Sequence, residues 1–199
     1  MKHVMIDLET LSLQPNAAII EIAAKEFNPV KEIEVPNNTF HEFVDSTSCA
    51  MHGMDFDKAT IEWWSKQELH LKGRFDTFRN DTPIGYALGK LSEYIRTTAP
   101  DGELMLWSQG TDFDIAILRS AYRNVLGEEL PVKYRNIRDA RTYFLELVNV
   151  LQPEAKNPYE LIKSEGSKHT AEGDVEWSIK AVQYATDLLV STFVKDVEK

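Results

Sequence analysis

Hydrophobic positions change their period along this chain of 199 residues. Val4, Met5 and Ile6 form a short apolar run, which predicts a buried strand over residues 4–8. After the turn at Gln14, Pro15 and Asn16, Ile20, Ile22 and Ala24 share one face of a second strand, residues 17–27, ended by Asn28 and Pro29. Residues 32–44 read as a third strand with a polar interruption at Pro36, Asn37 and Asn38. Residues 45–57 read as irregular, and 59–66, with Trp63 and Trp64, as a short helix. Residues 67–82 read as helical or mobile, with no pattern that places them.

Beyond them the period lengthens. Ile84, Ala87, Leu88, Leu91, Tyr94 and Ile95 fall on one face of a helix over residues 83–98. Residues 104–107 are a buried strand, and the loop 108–111 caps a helix over 112–126 that Gly127 closes. A helix over 139–151 stops before Pro153, residues 152–168 connect, and a last helix covers 170–194, its apolar positions stepping by four and three. Three strands, then alternating helix and strand, then helices predict one layered α/β domain over residues 1–199.

Composition narrows the function. No apolar run approaches the roughly 20 residues of a membrane span, so no membrane partner is expected. The N-terminus leads straight into the Asp7 strand, which a cleavable leader would remove, so none is expected. Cys49 stands alone, which excludes an internal disulfide framework and fits a reducing cytoplasm. The net charge of −10 argues against a passive nucleic-acid coat, but not against a nuclease that recruits cations.

The candidate chemistry starts at Asp7 and Glu9. Residues two apart on a strand point the same way, so these carboxylates repel each other at the strand's end. A bound divalent cation would offset that repulsion; a solvated strand end is the plain alternative. Asp114 falls in the first turn of its helix, where backbone N–H groups and the helix dipole favour an anion. His169 precedes the last helix and Asp174 lies five positions on, among small residues that leave room around it. Each of these also occurs as an ordinary helix start or cap.

In order and spacing, Asp7-x-Glu9, Phe113-Asp114 and His169-x-x-x-x-Asp174 resemble the three motifs of the DEDDh 3′→5′ exonucleases. The segments 15–20, Thr60 to Gln67 with its Trp63-Trp64 pair, and Arg135 to Thr142 resemble the branch of phage and prophage exodeoxyribonucleases, related to a bacterial exoribonuclease acting on polyadenylate. Two positions depart from the branch: Gln109 is the nearest amide where an Asn is usual, and Gly173 stands where a second Asp often precedes the last acid.

The resemblance implies an RNase H-like mixed five-stranded sheet, a three-strand meander plus parallel strands, flanked by helices. It implies two divalent cations, Mg²⁺ or Mn²⁺, held by Asp7, Glu9, Asp114 and Asp174, with His169 as general base. The implied partner is a nucleic-acid 3′ end, single-stranded and DNA in preference, and the implied assembly a homodimer. Thr10, Leu11, Gln109 and Phe113 are the expected substrate contacts, Leu11 or Phe113 by stacking, though Phe113 also suits the core. At least one of Trp63 and Trp64 must face inward, and Arg135, Arg138 and Arg141 suit phosphates, surface acids or a second subunit. An exoribonuclease with the same site and a non-catalytic nucleic-acid-binding module are the alternatives.

Overall fold

The structure, a computed structural model, describes residues 1–67, 81–163 and 169–197. Strands β1 (Lys2–Thr10), β2 (Ile19–Phe27) and β3 (Thr39–Asp45) form an antiparallel meander. The two-residue β4 (Thr82–Pro83) joins β3 in parallel; β5 (Leu104–Ser108) joins β1 and β6 (Ile137–Asp139) joins β5, both parallel. The mixed sheet thus runs β4-β3-β2-β1-β5-β6. It has six strands rather than the expected five, the addition being the short β4 at its edge.

Alternation along β1 divides the core. Val4, Ile6 and Leu8 pack on one face with Ala87, Leu88, Leu91 and Ile95 of α3 (Ile84–Thr98) and Ile117, Leu118 and Ala121 of α4 (Ala116–Ala121). Met5 turns to the other face, against Trp107 and against Ala171, Val175 and Val182 of α6 (Ala171–Val197). Phe144 and Val148 of α5 (Ala140–Leu151) extend that second layer against Ala181 and Ala185. Each fully buried Val, Leu, Ile, Met or Phe among them contributes about 1.5–3 kcal/mol. Asp7 and Glu9 share the parity of Met5, so the strand that fills the core also carries them towards the start of α6.

Several boundaries differ from the sequence expectation. The third strand begins at Thr39, because Pro36 has no N–H for a ladder and Asn38 instead donates its amide to Thr98 Oγ1 at 2.8 Å. The stretch expected to be irregular contains α1 (Ser46–Met51), whose cap Asp45 accepts from Thr47 N at 2.9 Å and Ser48 N at 3.2 Å. The helix expected at 112–126 is a composite of α4 between π-helical turns Thr111–Ile115 and Tyr122–Leu126, ended by Gly127 at φ 66°. Of the unplaced segment 67–82, residues 68–80 lie outside the described residues, as do 164–168 of the connection, which otherwise includes a 3₁₀ turn at Pro158–Leu161. The short helix is α2 (Lys58–Ser65), capped by Asp57. Among the described residues no helix is long and apolar enough to cross a membrane.

Candidate active site

β5 pairs with β1 only as far as Met5 opposite Trp107. Beyond that point the chain after β5 turns away and enters the π-helical turn that carries Asp114, leaving a cleft at the end of β1. Asp114 is 4% exposed, and its carboxylate accepts from the backbone N–H groups of Leu8 and Gly110. From the other side comes α6. Thr170 caps it, accepting from Gly173 N at 3.0 Å on Oγ1 and from Asp174 N at 2.9 Å on its carbonyl. That cap fixes Asp174 in the first turn, over β1.

The result is a cleft of about 440 Å³ lined by Asp7, Glu9, Asp114 and Asp174, with Gln109 and Arg141 also on its wall. One carboxylate oxygen each from Asp7, Glu9 and Asp174 lies within 4.8 Å of the others. Such crowding has an electrostatic consequence. Burial, then the charges of Asp114, Glu9, Asp174 and Glu21, hold the Asp7 carboxyl well above the usual aspartate range. Burial pushes Asp114 up to about 7, against the pull of the Leu8 and Gly110 N–H groups and of the Arg141 guanidinium. Oxygen donors that repel one another at this spacing form a hard ligand set, which fits a divalent cation of the magnesium, manganese or calcium kind.

His169 is placed differently. It is exposed, stands in the left-handed region at φ 62°, and is not among the cleft's lining residues. Its ring meets Trp63 edge-on at 4.9 Å. Trp63, 41% exposed, belongs to a second and more apolar pocket of about 430 Å³, lined also by Thr10, Leu13 and Phe113. The two hollows share Leu8, Glu9 and Phe113. Phe113 therefore lies at this junction, Thr10 in the apolar pocket and Gln109 in the carboxylate cleft.

Leu11 does not reach either hollow, which corrects its expected stacking role. It is 4% exposed and part of the core. The register of β1 shifts between Glu9 and Thr10, which turns the chain so that Leu13, 73% exposed, lines the apolar pocket instead. Trp64 is the inward member of its pair, 2% exposed, with Nε1 donating to the Thr10 carbonyl at 2.9 Å.

Two acids at the site escaped the sequence. Glu21, 1% exposed, sits directly opposite Glu9 and bonds His41 Nε2 at 2.8 Å; a single charge inside the apolar run of residues 17–24 was its signal. Asp139 lines the cleft while accepting from Thr111 N at 2.9 Å and Thr142 N at 2.8 Å, and those bonds hold it below the usual range although burial opposes them. It ties the Asp114 turn to α5, and only its capping position was legible.

The fold has known counterparts. Cell-death related nuclease 4 superposes with a TM-score of 0.66 at 13% identity, over 94% of this chain and 64% of its own. E. coli Exonuclease I in complex with a dT13 oligonucleotide gives 0.64 at 14% identity, over 98% of this chain and 43% of its own. This chain thus spans less than two thirds of either. An exodeoxyribonuclease of Enterobacteria phage T4 is 28% identical over 209 residues, covering 92% of this chain and 90% of the phage protein. The 3′-5′ exoribonuclease Rv2179c-like domain matches residues 2–186, and the chain belongs to that family, a 3′→5′ exonuclease of the DEDDh type with an RNase H-like fold.

Proposed function

We propose that this enzyme is metal-dependent and removes nucleoside monophosphates from the 3′ ends of single-stranded nucleic acid, DNA in preference. The observation that carries this reading is the set of Asp7, Glu9 and Asp174 oxygens within 4.8 Å of one another, with Asp114 in the same cleft. These four carboxylates would hold two Mg²⁺ or Mn²⁺ ions, their four negative charges balancing four positive ones. When bound, such ions supply activation of water and charge neutralisation at the leaving 3′ oxygen. Asp7, Glu9 and Asp174, whose oxygens converge, would hold the ions, with the buried Asp114 of the same cleft completing the set. His169, at the rim beside Trp63, takes the proton of the attacking water, a part most often played by an imidazole.

The apolar pocket with Trp63, Leu13 and Phe113 suits the terminal nucleoside, since stacking and apolar contact tolerate any base. Thr10 borders that pocket and Gln109 the phosphate side. The T4 relative supports DNA, and the dT13 complex of the structural neighbour supports a single strand. The same reading takes residues 1–199 as one exonuclease domain acting as a homodimer in the cytoplasm, where the free, buried Cys49 is compatible with a reducing medium.

A 3′-labelled single-stranded DNA and an RNA of matched sequence, digested with Mg²⁺ or Mn²⁺, test the proposal. Label should leave as mononucleotide, faster from DNA, and not at all in EDTA or with Asp7→Ala. Activity that persists in EDTA rejects the metal-dependent chemistry. Faster release from RNA would favour the second reading, an exoribonuclease, which the family's description supports.

A further inference from the structure

We infer that Arg141 is the anion-binding residue of the cleft and holds the phosphodiester one nucleotide upstream of the bond that is cut. The inference rests on the exonuclease reading above. Six acids line the cleft, Asp7, Glu9, Asp112, Asp114, Asp139 and Asp174, and Arg141 is the one cationic side chain among its described lining residues. The basic segment that contains it divides its labour. Arg138 Nη1 donates to the carbonyls of Arg135 and Ile137, both at 2.8 Å, and neither Arg138 nor Arg135 lines the cleft.

Arg141 makes no side-chain hydrogen bond or ion pair among the described residues. Two of the acids that line the cleft with it are already engaged. Asp139 accepts from Thr111 and Thr142, and Asp114 from Leu8 and Gly110. Arg141 is exposed, two residues after the cap of α5, and its Nη2 lies 3.9 Å from where a Cβ on Gly110 would stand. A planar fork of N–H donors held at the mouth of an anionic cleft matches a phosphate once cations have neutralised the carboxylates.

Direction follows from the two hollows. The apolar pocket touches the cleft at Leu8, Glu9 and Phe113 and does not share Arg141. With the terminal nucleoside in that pocket and the scissile phosphate over Asp7, the next phosphate in the 5′ direction falls on the Arg141 side.

Arg141→Gln and Arg141→Lys, compared on a single-stranded oligonucleotide and on thymidine 5′-(p-nitrophenyl phosphate), which has no upstream phosphate, provide the test. Affinity for the oligonucleotide is read separately by fluorescence anisotropy in Ca²⁺. The Gln variant should raise KM and Kd for the oligonucleotide about 10- to 100-fold, the worth of a charged hydrogen bond, with kcat changed far less. Its loss on the nitrophenyl ester should be about tenfold smaller, and Lys should restore part of the affinity. A methylphosphonate at the penultimate linkage should weaken wild-type binding as much as the substitution does and leave the Gln variant no weaker. Wild-type KM in the Gln variant, or equal losses on both substrates, overturns the inference while the exonuclease reading stands. A wild-type protein that cleaves neither substrate overturns both.

Discussion

Replacing Asp114 by Asn should stabilise the metal-free protein while removing catalysis. Asp114 is 4% exposed, and burial pushes its carboxyl up to about 7 even though backbone N–H groups favour the anion. That lies about three pH units above an ordinary aspartate, and at about 1.4 kcal/mol per unit the ionised side chain costs the fold about 4 kcal/mol. Asp7 titrates in the same field, so one substitution recovers about half, ~2 kcal/mol. Asparagine keeps the shape and leaves an oxygen for the Leu8 N–H. The sign follows from proton uptake. The folded state holds this proton more tightly than the unfolded chain, so its contribution is complete below the ordinary aspartate value and is lost as pH rises through about 7.

In EDTA, the variant should therefore melt about 4–8 °C above wild type at about pH 8, and the gap should narrow towards pH 5. Comparing the two proteins at each pH cancels the titrations of groups far from the cleft and leaves those of Asp114 and of Asp7, which feels its charge. Added Mg²⁺ should raise the wild-type melting temperature and the variant's much less. Thermal melts in EDTA and in Mg²⁺ at both pH values decide the matter. A variant that melts at or below wild type in EDTA at pH 8 would refute the electrostatic account of this site.

Three further outcomes are expected. His169→Ala should lower kcat about 10²–10⁴-fold with KM near wild type; steady-state kinetics that show kcat retained would remove His169 from proton transfer. Asp139→Ala loses both the α5 cap and the tie to Thr111, so it should cost about 1–2 kcal/mol by denaturant unfolding and lower kcat/KM through the loosened Asp114 turn, and an unchanged midpoint would contradict this. Trp64→Ala should cost about 3–5 kcal/mol, whereas Trp63→Ala should stay within about 0.5 kcal/mol and raise KM; equal losses of stability would undo the division between the two rings.

What the sequence made legible was set by burial. The apolar runs of β1 and β5 and the helical spacing of α3 and α6 could be read because each faces a core continuously. β6 could not, because Ile137, Arg138 and Asp139 carry no alternation and the strand exists through bonds offered by β5. α1 was hidden for the same reason: Cys49 is its one buried residue, and the polar cap Asp45 holds it. The π-helical turns leave no trace in apolar spacing, since they change which carbonyl an N–H meets and not which residues are apolar.

At the site, the convergence of Asp7, Glu9, Asp114 and Asp174 was expected from motif order. Glu21 and Asp139 were not, because each enters through tertiary pairing that no linear spacing encodes. Leu11 misled because a single register shift in β1 reverses which side a residue faces, and that shift depends on the partner strand.

The ends of the sheet carry a consequence for handling the protein at high concentration. The nine-residue strands β1 and β2 are flanked on both sides by neighbours, so the long apolar ladders that build the core lie inside the sheet. At one end β4 pairs only with Val44 and Asp45, so among the described residues the rest of β3, with His41 and Glu42 in it, forms the outer edge. Charged side chains on an edge oppose strand addition by a neighbouring molecule, so clumping in concentrated stocks should follow unfolding and not precede it.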